Sequence, residues 1–418
     1  MVELRKPILV NEALERIMQV VELLGTETVS LEEAYGRILA EPIIAKHDVP
    51  PFDRSAYDGF AVRAVDTIGA SSENPIHFHV IGEIGAGHVA NQPIGEFQAY
   101  RIMTGAILPA EADAVIMLEQ TVETAKGFTI SESVQPGAHL SFQGEDAQKG
   151  ETLMEAGTKI HPGTTALLAT FGYAKVKVSK RPIVGILSTG TELLDVGDEL
   201  TPGKIRNSNG PMVEAQLKRM GMMYQSYGML EDNLESCQHM VEKALAETDL
   251  LITTGGVSVG DYDYLPVIYE RLGATVLFNK IAMRPGSVTT VSVLNGKLLF
   301  GLSGNPSACF TGFELYVRPA IEKMMGSLAP YLPQIEAELD EAIPDANPFI
   351  RFMRGLWTFG ADGVTARPAG FNKTNAVSSI ARGNCIIVLP PGEHGYERGA
   401  KVKLLLLGSE QGVSTWNI

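Results

Sequence analysis

Three short loops of the sequence combine glycine with small polar residues, and each follows an apolar run. The loops are STGTEL at 188–193, TGGVSVGDYDY at 254–264 and GLSGNPSACF at 301–310. In an open α/β sheet, ligands bind beyond the carboxyl ends of the strands, where such loops let an anion or a flat ligand approach backbone N–H groups. Glycines that only turn the chain would explain any one loop, but three loops at one edge favour a phosphate-containing ligand.

Carboxylates are expected at the same edge. Glu192 lies in the first loop, Asp232 follows the strand pattern MYQSYGML, and Asp261 and Asp263 lie in the second loop. Carboxylates beside a phosphate-binding loop repel the ligand unless a divalent cation bridges the two, so the pattern favours Mg²⁺. Asp232 and Asp263 each directly precede a helical pattern, and helix capping alone would also explain either of them.

The chain has a formal net charge of −15, which argues against nucleic acid or an anionic membrane as a partner. An anionic substrate then needs a local basic site, which Lys280 and Arg284 of FNKIAMRPGS supply.

The sequence contains no P-loop, dinucleotide fingerprint or G-x-S-x-G elbow, which disfavours nucleoside triphosphatases, ordinary dehydrogenases and serine hydrolases. His77 and His79 share a strand face but lack a third ligand, so they predict no metal site.

Cysteine usage and hydropathy predict a cytoplasmic protein without a membrane anchor. The three cysteines, Cys237, Cys309 and Cys385, are too far apart for a metal knuckle and odd in number, as expected in a reducing compartment. The N-terminal segment lacks the apolar core of a signal peptide, and no run of about 18 apolar residues occurs.

The first 181 residues predict helices flanking a β-rich segment. A helix is expected after Asn11, and the capping-box pattern at residues 30–33 predicts a second one. Short β-branched runs follow from Ile43 to about Glu145, and residues 164–173 predict a further helix. Within PPFDRSAYDGFAV at 50–62, we expect Asp53 to fix a turn by side-chain-to-backbone hydrogen bonds and Asp58 to serve chemistry.

After Arg181 the chain alternates strands with helices over 209–220, 234–246, 264–272 and 306–325, and it contains a hairpin with an Asn-Gly turn. We predict a multi-domain α/β plus β fold: a central doubly wound α/β domain, a β-rich N-terminal domain and a small C-terminal domain resembling a β-barrel. The predicted domains are 1–42 with 147–181 (helical and mixed), 43–146 (β-rich), 182–329 (α/β) and 330–418 (C-terminal β).

The sequence resembles the molybdopterin molybdenumtransferase family, which includes the bacterial MoeA proteins and the E domain of gephyrin. The resemblance spans almost the whole chain and rests on an ordered set of motifs: PPFDRSAYDGFAV, RIMTGAILP, STGTEL, IRNSN, TTGGVSVGDYD, MRPG and SGNPSA. It implies that residues 182–329 bind molybdopterin. The implied reaction converts adenylylated molybdopterin and molybdate to molybdenum cofactor and AMP, with Mg²⁺ or another divalent cation.

The resemblance also implies a set of site residues. Those with implied catalytic roles are Asp58, Thr104, Glu192, Asp232, Asp263, Lys280 and Arg284. Those with implied roles in binding the cofactor are Asp146, Gly255, Gly256, Ser258, Gly304, Asn305, Pro306, Ser307, Arg354 and Thr374. Asp232, Asp263 and Glu192 are the implied ligands of Mg²⁺, whereas Lys280 and Arg284 would attract molybdate and stabilise the charge that develops as the phosphoanhydride breaks.

The chain departs from the family pattern at the turn that follows Lys280. Arg284 takes the place of a family lysine and Ser287 replaces another, so one charge is altered in geometry and one is lost. This change bears on molybdate affinity and leaves the reaction type unaltered. Arg354 and Thr374 match a pair implicated in oxyanion handling, the second as threonine for serine.

The family likeness further implies a homodimer whose active site lies between the subunits, with Asp58 and Thr104 facing the partner's loops. Molybdopterin adenylyltransferase and the enzymes that receive the cofactor are the implied partners. Two alternatives stay open at this point. The protein could be a molybdopterin adenylyltransferase, which uses a similar α/β domain, or a non-catalytic molybdopterin carrier or scaffold.

Overall fold

The computed structural model describes residues 6–230, 233–256, 265–360 and 363–408. The chain divides into two compact units. The first comprises Met1–Ala40, Gly157–His161 and Lys175–Ile418, and the second comprises Glu41–Ala156 and Pro162–Ala174. The finer division into four domains stays a prediction. No helix of the described residues is long and apolar enough to cross a bilayer.

Apart from the short helix at Ser378–Arg382, which the sequence does not predict, the helices lie close to where the sequence predicts them. Those of the described residues are α1 (Val10–Val20), α2 (Pro162–Thr170), α3 (Asn209–Met220), α4 (Leu234–Glu247), α5 (Leu265–Arg271), α6 (Pro306–Gly312), α7 (Arg318–Met324) and α8 (Ser378–Arg382). A π-helical turn at Phe313–Val317 joins α6 to α7, so the predicted long helix over 306–325 is continuous in direction but changes its hydrogen bonding midway. Short 3₁₀ turns occupy Ala64–Thr67 and Leu118–Gln120.

The strands of the described residues fall into an early and a late group. The early strands are β1 (Thr26–Ser30), β2 (Ile43–Ile44), β3 (Arg54–Ser55), β4 (Gly59–Val62), β5 (Ile76–Ile84), β6 (Gln98–Ile102), β7 (Ala114–Met117), β8 (Thr121–Thr124), β9 (Gly127–Ile130), β10 (Leu140–Ser141), β11 (Thr152–Met154) and β12 (Lys175–Ser179). The late strands are β13 (Ile183–Thr189), β14 (Leu193–Leu194), β15 (Ile205–Arg206), β16 (Met223–Leu230), β17 (Leu250–Thr254), β18 (Thr275–Phe278), β19 (Met283–Arg284), β20 (Thr290–Leu294), β21 (Lys297–Leu302), β22 (Gln334–Leu339), β23 (Ile350–Gly360), β24 (Gly363–Pro368), β25 (Cys385–Leu389) and β26 (Lys401–Leu406).

The central α/β sheet has the strand order β16-β13-β17-β21-β20-β18, and its first four strands are parallel. Successive residues of one strand enter different cores: Leu250 and Ile252 pack with α3 residues, whereas Leu251 packs with α4 and α5 residues. Burial on both faces explains why these strands read as unbroken apolar runs. The Asn-Gly hairpin joins β20 to β21, with both turn residues at positive φ.

The C-terminal strands close on themselves. Strands β23, β24, β22, β26 and β25 follow one another, and β25 also pairs with β23, which completes a five-stranded ring. β19 adds to this sheet from the α/β region by pairing with β23. The predicted barrel-like domain is therefore present as a closed barrel.

The second unit is built on a six-stranded sheet of order β7-β4-β6-β5-β9-β8. Its core contains a stack of Phe60, Phe128 and Phe78, with ring centroids 3.9 and 5.3 Å apart along the stack. The β-rich segment predicted from Ile43 onwards is thereby confirmed.

The predicted second helix after Ser30 is wrong. The capping-box hydrogen bonds do form, since the Ser30 N–H donates to the Glu33 carboxylate and the Glu33 N–H donates to Ser30 Oγ. They close a turn at the end of β1, and no helix follows. The next residues are held elsewhere, because Gly36 and Leu39 donate their N–H groups to the carbonyls of Ile160 and Thr158.

Candidate active site

The described parts of the three glycine-containing loops, which for the second loop are residues 254–256, meet at one edge of the α/β sheet. β17 pairs in parallel with both β13 and β21, so the carboxyl ends of the three strands lie side by side. A cleft of about 480 Å³ opens at these ends, bounded also by the start of α3. The predicted site residues in its lining are Glu192, Gly255, Gly256, Gly304, Asn305 and Pro306.

Gly255 and Gly256 let the backbone of the second loop lie directly against Thr189. Both glycines have positive φ, 85° and 64°. A Cβ atom at Gly255 would lie 2.4 Å from the Thr189 carbonyl oxygen, and one at Gly256 would lie 2.6 Å from Thr189 Oγ1. Both backbone conformation and space therefore require glycine here, and the loop presents bare backbone to the cleft.

Two buried polar atoms of the cleft lining lack a hydrogen-bond partner among the described residues. They are Thr189 Oγ1 and Asn209 Oδ1, whose residues are only 5% and 7% exposed. The Asn209 amide is oriented by its own Nδ2 group, which donates to the Gly304 carbonyl at 2.8 Å. Leaving such groups unpaired costs about 1–3 kcal/mol each. A ligand with a donor for Asn209 Oδ1 and a polar group for the Thr189 hydroxyl would recover that cost.

A chain of side-chain hydrogen bonds, two of whose residues also line the cleft, joins the elements that carry these groups. Ser188 Oγ bonds Thr254 Oγ1 at 3.0 Å and accepts from Asn207 Nδ2 at 3.0 Å. Asn207 Oδ1 in turn accepts from the Gly210 N–H in the first turn of α3. The chain ties β13, β17 and α3 together, so the cleft is preformed.

Only part of the predicted carboxylate cluster lies within the described residues. Asp232, Asp263 and Ser258 lie outside them. Glu192 is exposed at the cleft, and a Cβ atom at Gly190 would lie 2.7 Å from its Oε2 atom, so the carboxylate folds back over the first loop. No group of three or more His, Cys, Asp or Glu residues within the described ranges could hold a metal ion. Glu192 offers the hard oxygen that Mg²⁺ prefers, but it is a single ligand.

A second cavity of about 380 Å³ is lined by the two cationic side chains that the sequence predicts to bind the oxyanion. Its lining includes Lys280, Arg284, Ser287, Phe349 and Thr374. It lies next to the cleft along the chain, since Ser287 lines the cavity and the following residue, Val288, lines the cleft. The described residues of the lining include no carboxylate, so the two cations make it an anion-attracting site.

The N-terminal segment forms part of the wall of this cavity. Pro7 is in the lining, the Ile8 N–H donates to the Lys280 carbonyl, and the Ile8 carbonyl accepts from the Ala282 N–H. On the other side of the turn, the Ile281 N–H donates to the Ser287 carbonyl at 2.9 Å. These backbone bonds fix Lys280 relative to Arg284.

Arg354 and Ser307 do not line either cavity, although both were predicted to bind the cofactor. Arg354 is 1% exposed, and its guanidinium donates to Ser379 Oγ and to the Lys373 carbonyl. Burial, with a smaller effect from the charge of Arg351, lowers the pKa of Arg354 to about 10, so it stays protonated at neutral pH. Ser307 Oγ is buried and donates to the carbonyls of Lys373 and Ala376. Both residues hold the loop that presents Thr374.

In the second unit, Thr104 forms two hydrogen bonds to one carboxylate oxygen of Asp58. Both the N–H and the hydroxyl of Thr104 donate to Asp58 Oδ1 at 2.7 Å. These two bonds, of which the backbone bond has the larger effect, lower the pKa of the exposed Asp58 carboxyl.

The other two aspartates predicted in this unit lie elsewhere. The Asp53 carboxylate accepts a hydrogen bond from the Gln143 N–H at 2.8 Å. Asp53 therefore joins two loops that are remote in the chain, and the expected hydrogen bond within a local turn is not the one that forms. Asp146 is exposed, and its N–H donates to the Val49 carbonyl.

Known proteins match the chain along its full length. The model for the MoeA N-terminal region (domain I and II) matches residues 8–172, that for a probable molybdopterin binding domain matches 185–323, and that for the MoeA C-terminal region (domain IV) matches 336–407. A protein of Staphylococcus epidermidis named "Molybdopterin molybdenumtransferase" is 52% identical over 408 residues, covering 98% of this chain and 97% of its own. The chain belongs to the MoeA family.

Further relatives agree with this membership. A "Molybdopterin molybdenumtransferase" of Staphylococcus aureus is 50% identical over 409 residues, with 98% of each chain covered. The crystal structure of a molybdopterin biosynthesis moeA protein from Pyrococcus horikoshii OT3 is 32% identical, covers 96% of this chain and all of its own, and superposes with a TM-score of 0.84. The three-part α/β plus β architecture of the MoeA family is therefore that of this chain.

Sequence reasoning missed two residues of this MoeA cleft, Thr189 and Asn209. Both lie inside motifs already quoted for the family, STGTEL and IRNSN, yet neither has a residue type that marks chemistry by itself. Their significance depends on being buried without a partner, which is a property of the folded structure. Polar residues inside a motif that also supplies a buried strand end would have been the available signal.

Proposed function

We propose that this MoeA-family chain inserts molybdenum in molybdenum cofactor biosynthesis, converting adenylylated molybdopterin and molybdate to molybdenum cofactor and AMP. Relatives at about 50% identity over the full chain are named molybdopterin molybdenumtransferase. They match both the α/β region and the regions on either side of it. This breadth supports the transferase over a molybdopterin adenylyltransferase or a carrier.

The unpartnered pair of Thr189 Oγ1 and Asn209 Oδ1 carries the assignment of the larger cleft. A pterin ring offers N–H donors and ring acceptors that match these two atoms, and the loop at Gly255 and Gly256 leaves room for phosphate oxygens against the backbone. We assign the pterin and phosphate portions of the substrate to this cleft. Gly304, Asn305 and Pro306 also line this cleft, with Gly304 beside Gly255 and Asn209.

The second cavity is assigned to molybdate. Lys280 and Arg284 offer an ammonium and a guanidinium to a tetrahedral dianion, and the cavity adjoins the cleft through residues 287 and 288. Cations fixed there also stabilise the negative charge that develops when the phosphoanhydride of the adenylylated substrate breaks. Thr374, held in place by Ser307 and Arg354, supplies a hydroxyl to the same cavity.

We include Mg²⁺ in the proposal because the carboxylates predicted at the cleft are the hard oxygen ligands that this ion prefers. Glu192, Asp232 and Asp263 would hold it, and the bound ion would neutralise part of the charge of the phosphate oxygens. Glu192 contributes a carboxylate at the cleft edge, where it would otherwise repel an anionic ligand.

We further propose a cytoplasmic homodimer in which Asp58 and Thr104 of one subunit serve the cleft of the other, and in which Asp146 contributes to cofactor binding. The ionised Asp58 carboxylate keeps one oxygen on Thr104 and has the second available for a ligand. Three free cysteines support a reducing compartment. Molybdopterin adenylyltransferase and the cofactor-receiving enzymes are the proposed partners.

The test is AMP release from adenylylated molybdopterin by the purified protein with Mg²⁺, in the presence and absence of molybdate. Molybdate-dependent AMP release is expected. Consumption of ATP without molybdate would indicate the adenylyltransferase instead, and binding of the substrate without any AMP release would indicate a carrier. Running the same assay with tungstate establishes which oxyanion the protein prefers.

A further inference from the structure

Arg351 is the strand partner of Arg284. β19 and β23 pair in parallel with Arg284 opposite Arg351. Opposed residues on paired strands point to the same face of the sheet, and Arg284 faces the second cavity. Arg351 also follows Phe349 by two residues, and Phe349 lines that cavity. The pairing with Arg284 and the spacing from Phe349 therefore place Arg351 beside the cavity that holds Lys280 and Arg284, although Arg351 is not among the residues that line it.

The charges of this pair are only partly balanced within the described protein, because the charge of Asp345 acts on Arg351 without forming an ion pair with it. Neither guanidinium forms an ion pair with a carboxylate of the described residues. Arg351 is half-buried, and its pKa is lowered first by burial and, against the opposing effect of Asp345, by the charge of Arg284. Like charges directly opposite each other on paired strands destabilise the pairing, so the arrangement has an energetic cost unless an anion lies between them.

We propose that Arg351, which lies beside the second cavity, is the third cation of the oxyanion site and that Arg284 and Arg351 together bind the oxyanion substrate. The inference rests on the proposed function, because it concerns the oxyanion of the same reaction. Two guanidinium groups present planar forks of N–H donors, which can each take two oxygens of a tetrahedral dianion such as molybdate. Lys280 adds a point charge to the same cavity.

The experiment compares Arg351→Gln, Arg284→Gln and Arg351→Lys with Arg398→Gln as the control. Arg398 is an arginine of the same barrel whose side chain is 78% exposed, 3.8 Å from Asp340. Titration of the protein with molybdate by calorimetry gives the affinity, and AMP release gives KM and kcat. We expect Arg351→Gln and Arg284→Gln to weaken molybdate binding and raise its KM about five- to tenfold. Arg351→Lys should lose less, and Arg398→Gln should match the wild type.

Thermal unfolding separates this role from a structural one. Removing one of two opposed like charges should leave the Tm of Arg351→Gln unchanged or higher in the absence of anion, while the rise in Tm that molybdate gives the wild type becomes smaller. A merely structural arginine would lower Tm and leave the molybdate-induced shift intact.

The two proposals fail in different ways. If the wild type binds molybdate but releases no AMP in response to it, the proposed function is overturned and the calorimetric comparison still decides the role of Arg351. If AMP release depends on molybdate and Arg351→Gln equals Arg398→Gln in both affinity and KM, the role of Arg351 is overturned. Should Arg351→Gln not fold, Arg351→Lys against Arg284→Lys provides the same comparison with the charge kept.

Discussion

The Ser307 N–H donates to the Thr374 carbonyl at 3.1 Å, and this bond joins the two cavities of the MoeA-family chain. Ser307 follows Pro306, which lines the larger cleft, while Thr374 lines the cavity with Lys280 and Arg284. The Ser307 hydroxyl strengthens the link through the Lys373 and Ala376 carbonyls. The start of α6 and the loop of the barrel are thereby held as one unit.

Ser307→Ala should destabilise the protein by about 1–3 kcal/mol, because it leaves the buried Ala376 carbonyl without its hydroxyl donor, whereas the Lys373 carbonyl keeps its bonds from Arg354 and the Ala376 N–H. Urea unfolding measures the change, with Ser327→Ala as the control. Ser327 is half-buried and its Oγ makes only one long hydrogen bond, 3.3 Å, to the Ala329 N–H. We also expect a raised KM for molybdate as Thr374 loosens. Equal stability of the two variants would contradict the proposed link.

Gly256→Ala should weaken substrate binding by filling the space beside Thr189. The new Cβ would lie 2.6 Å from Thr189 Oγ1, so the hydroxyl that we assign to the substrate must move. Gly273→Ala is the matched control, because its φ of 74° resembles the 64° of Gly256 but a Cβ there meets nothing within 4 Å. Both variants lose about 1 kcal/mol through backbone strain. Calorimetric binding of molybdopterin should weaken in Gly256→Ala alone, and parallel losses would refute the assignment.

The sequence is sufficient to predict the loops of the cleft but not the partners of its side chains. Alternating strands and helices place STGTEL, TGGVSVGDYDY and SGNPSA at one sheet edge, since parallel strands all end on the same side. The burial of Arg354 and Ser307 follows from the approach of the barrel loop at residues 373–376, which is more than 60 residues from Ser307 in the chain. No local pattern specifies that contact.

The same limit explains the failed helix after Ser30 and the missed pairing of Arg284 with Arg351. The capping residues of Ser30 and Glu33 behave as their types predict, but pairing of residues 36–39 with 158–160 overrides helix propagation. Arg284 and Arg351 meet because β19 joins the barrel sheet, 67 positions away in the chain. The register between distant strands depends on tertiary packing. The opposition of Arg284 and Arg351 therefore could not be predicted from either motif alone.

Thr104→Val should raise the pKa of Asp58 towards its ordinary value of 3.8, because one of the two bonds that favour the ionised form is lost. An NMR titration of the Asp58 carboxyl carbon measures this shift, with Thr124→Val in the same unit as the control. Since the folded-state pKa is depressed, the bonds favour the folded protein above the unfolded pKa, and that contribution disappears as the pH falls through the folded pKa. An unchanged Asp58 titration would show that the Thr104 N–H alone sets its pKa.

Removal of divalent cations should abolish molybdate-dependent AMP release, and Glu192→Gln should raise the Mg²⁺ concentration needed for half-maximal activity about tenfold. The glutamine keeps the size of the side chain and loses its charge, so the change reports on the metal. Glu199→Gln, an exposed carboxylate outside the cleft lining, is the control. If chelation leaves AMP release intact, or if the two variants need the same Mg²⁺ concentration, the proposed role of Glu192 is wrong.

Ser287→Lys should lower the KM for molybdate. Ser287 lines the second cavity at the position where the family resemblance leads us to expect a lysine, and the added ammonium would join Lys280 and Arg284. The gain should be several-fold at low ionic strength and shrink as salt rises, because a partly exposed charge is screened over about 8–10 Å near physiological salt. Ser327→Lys adds the same charge elsewhere on the protein and controls for long-range attraction. Equal KM values for the two lysine variants at every salt concentration would mean that Ser287 does not face the bound oxyanion.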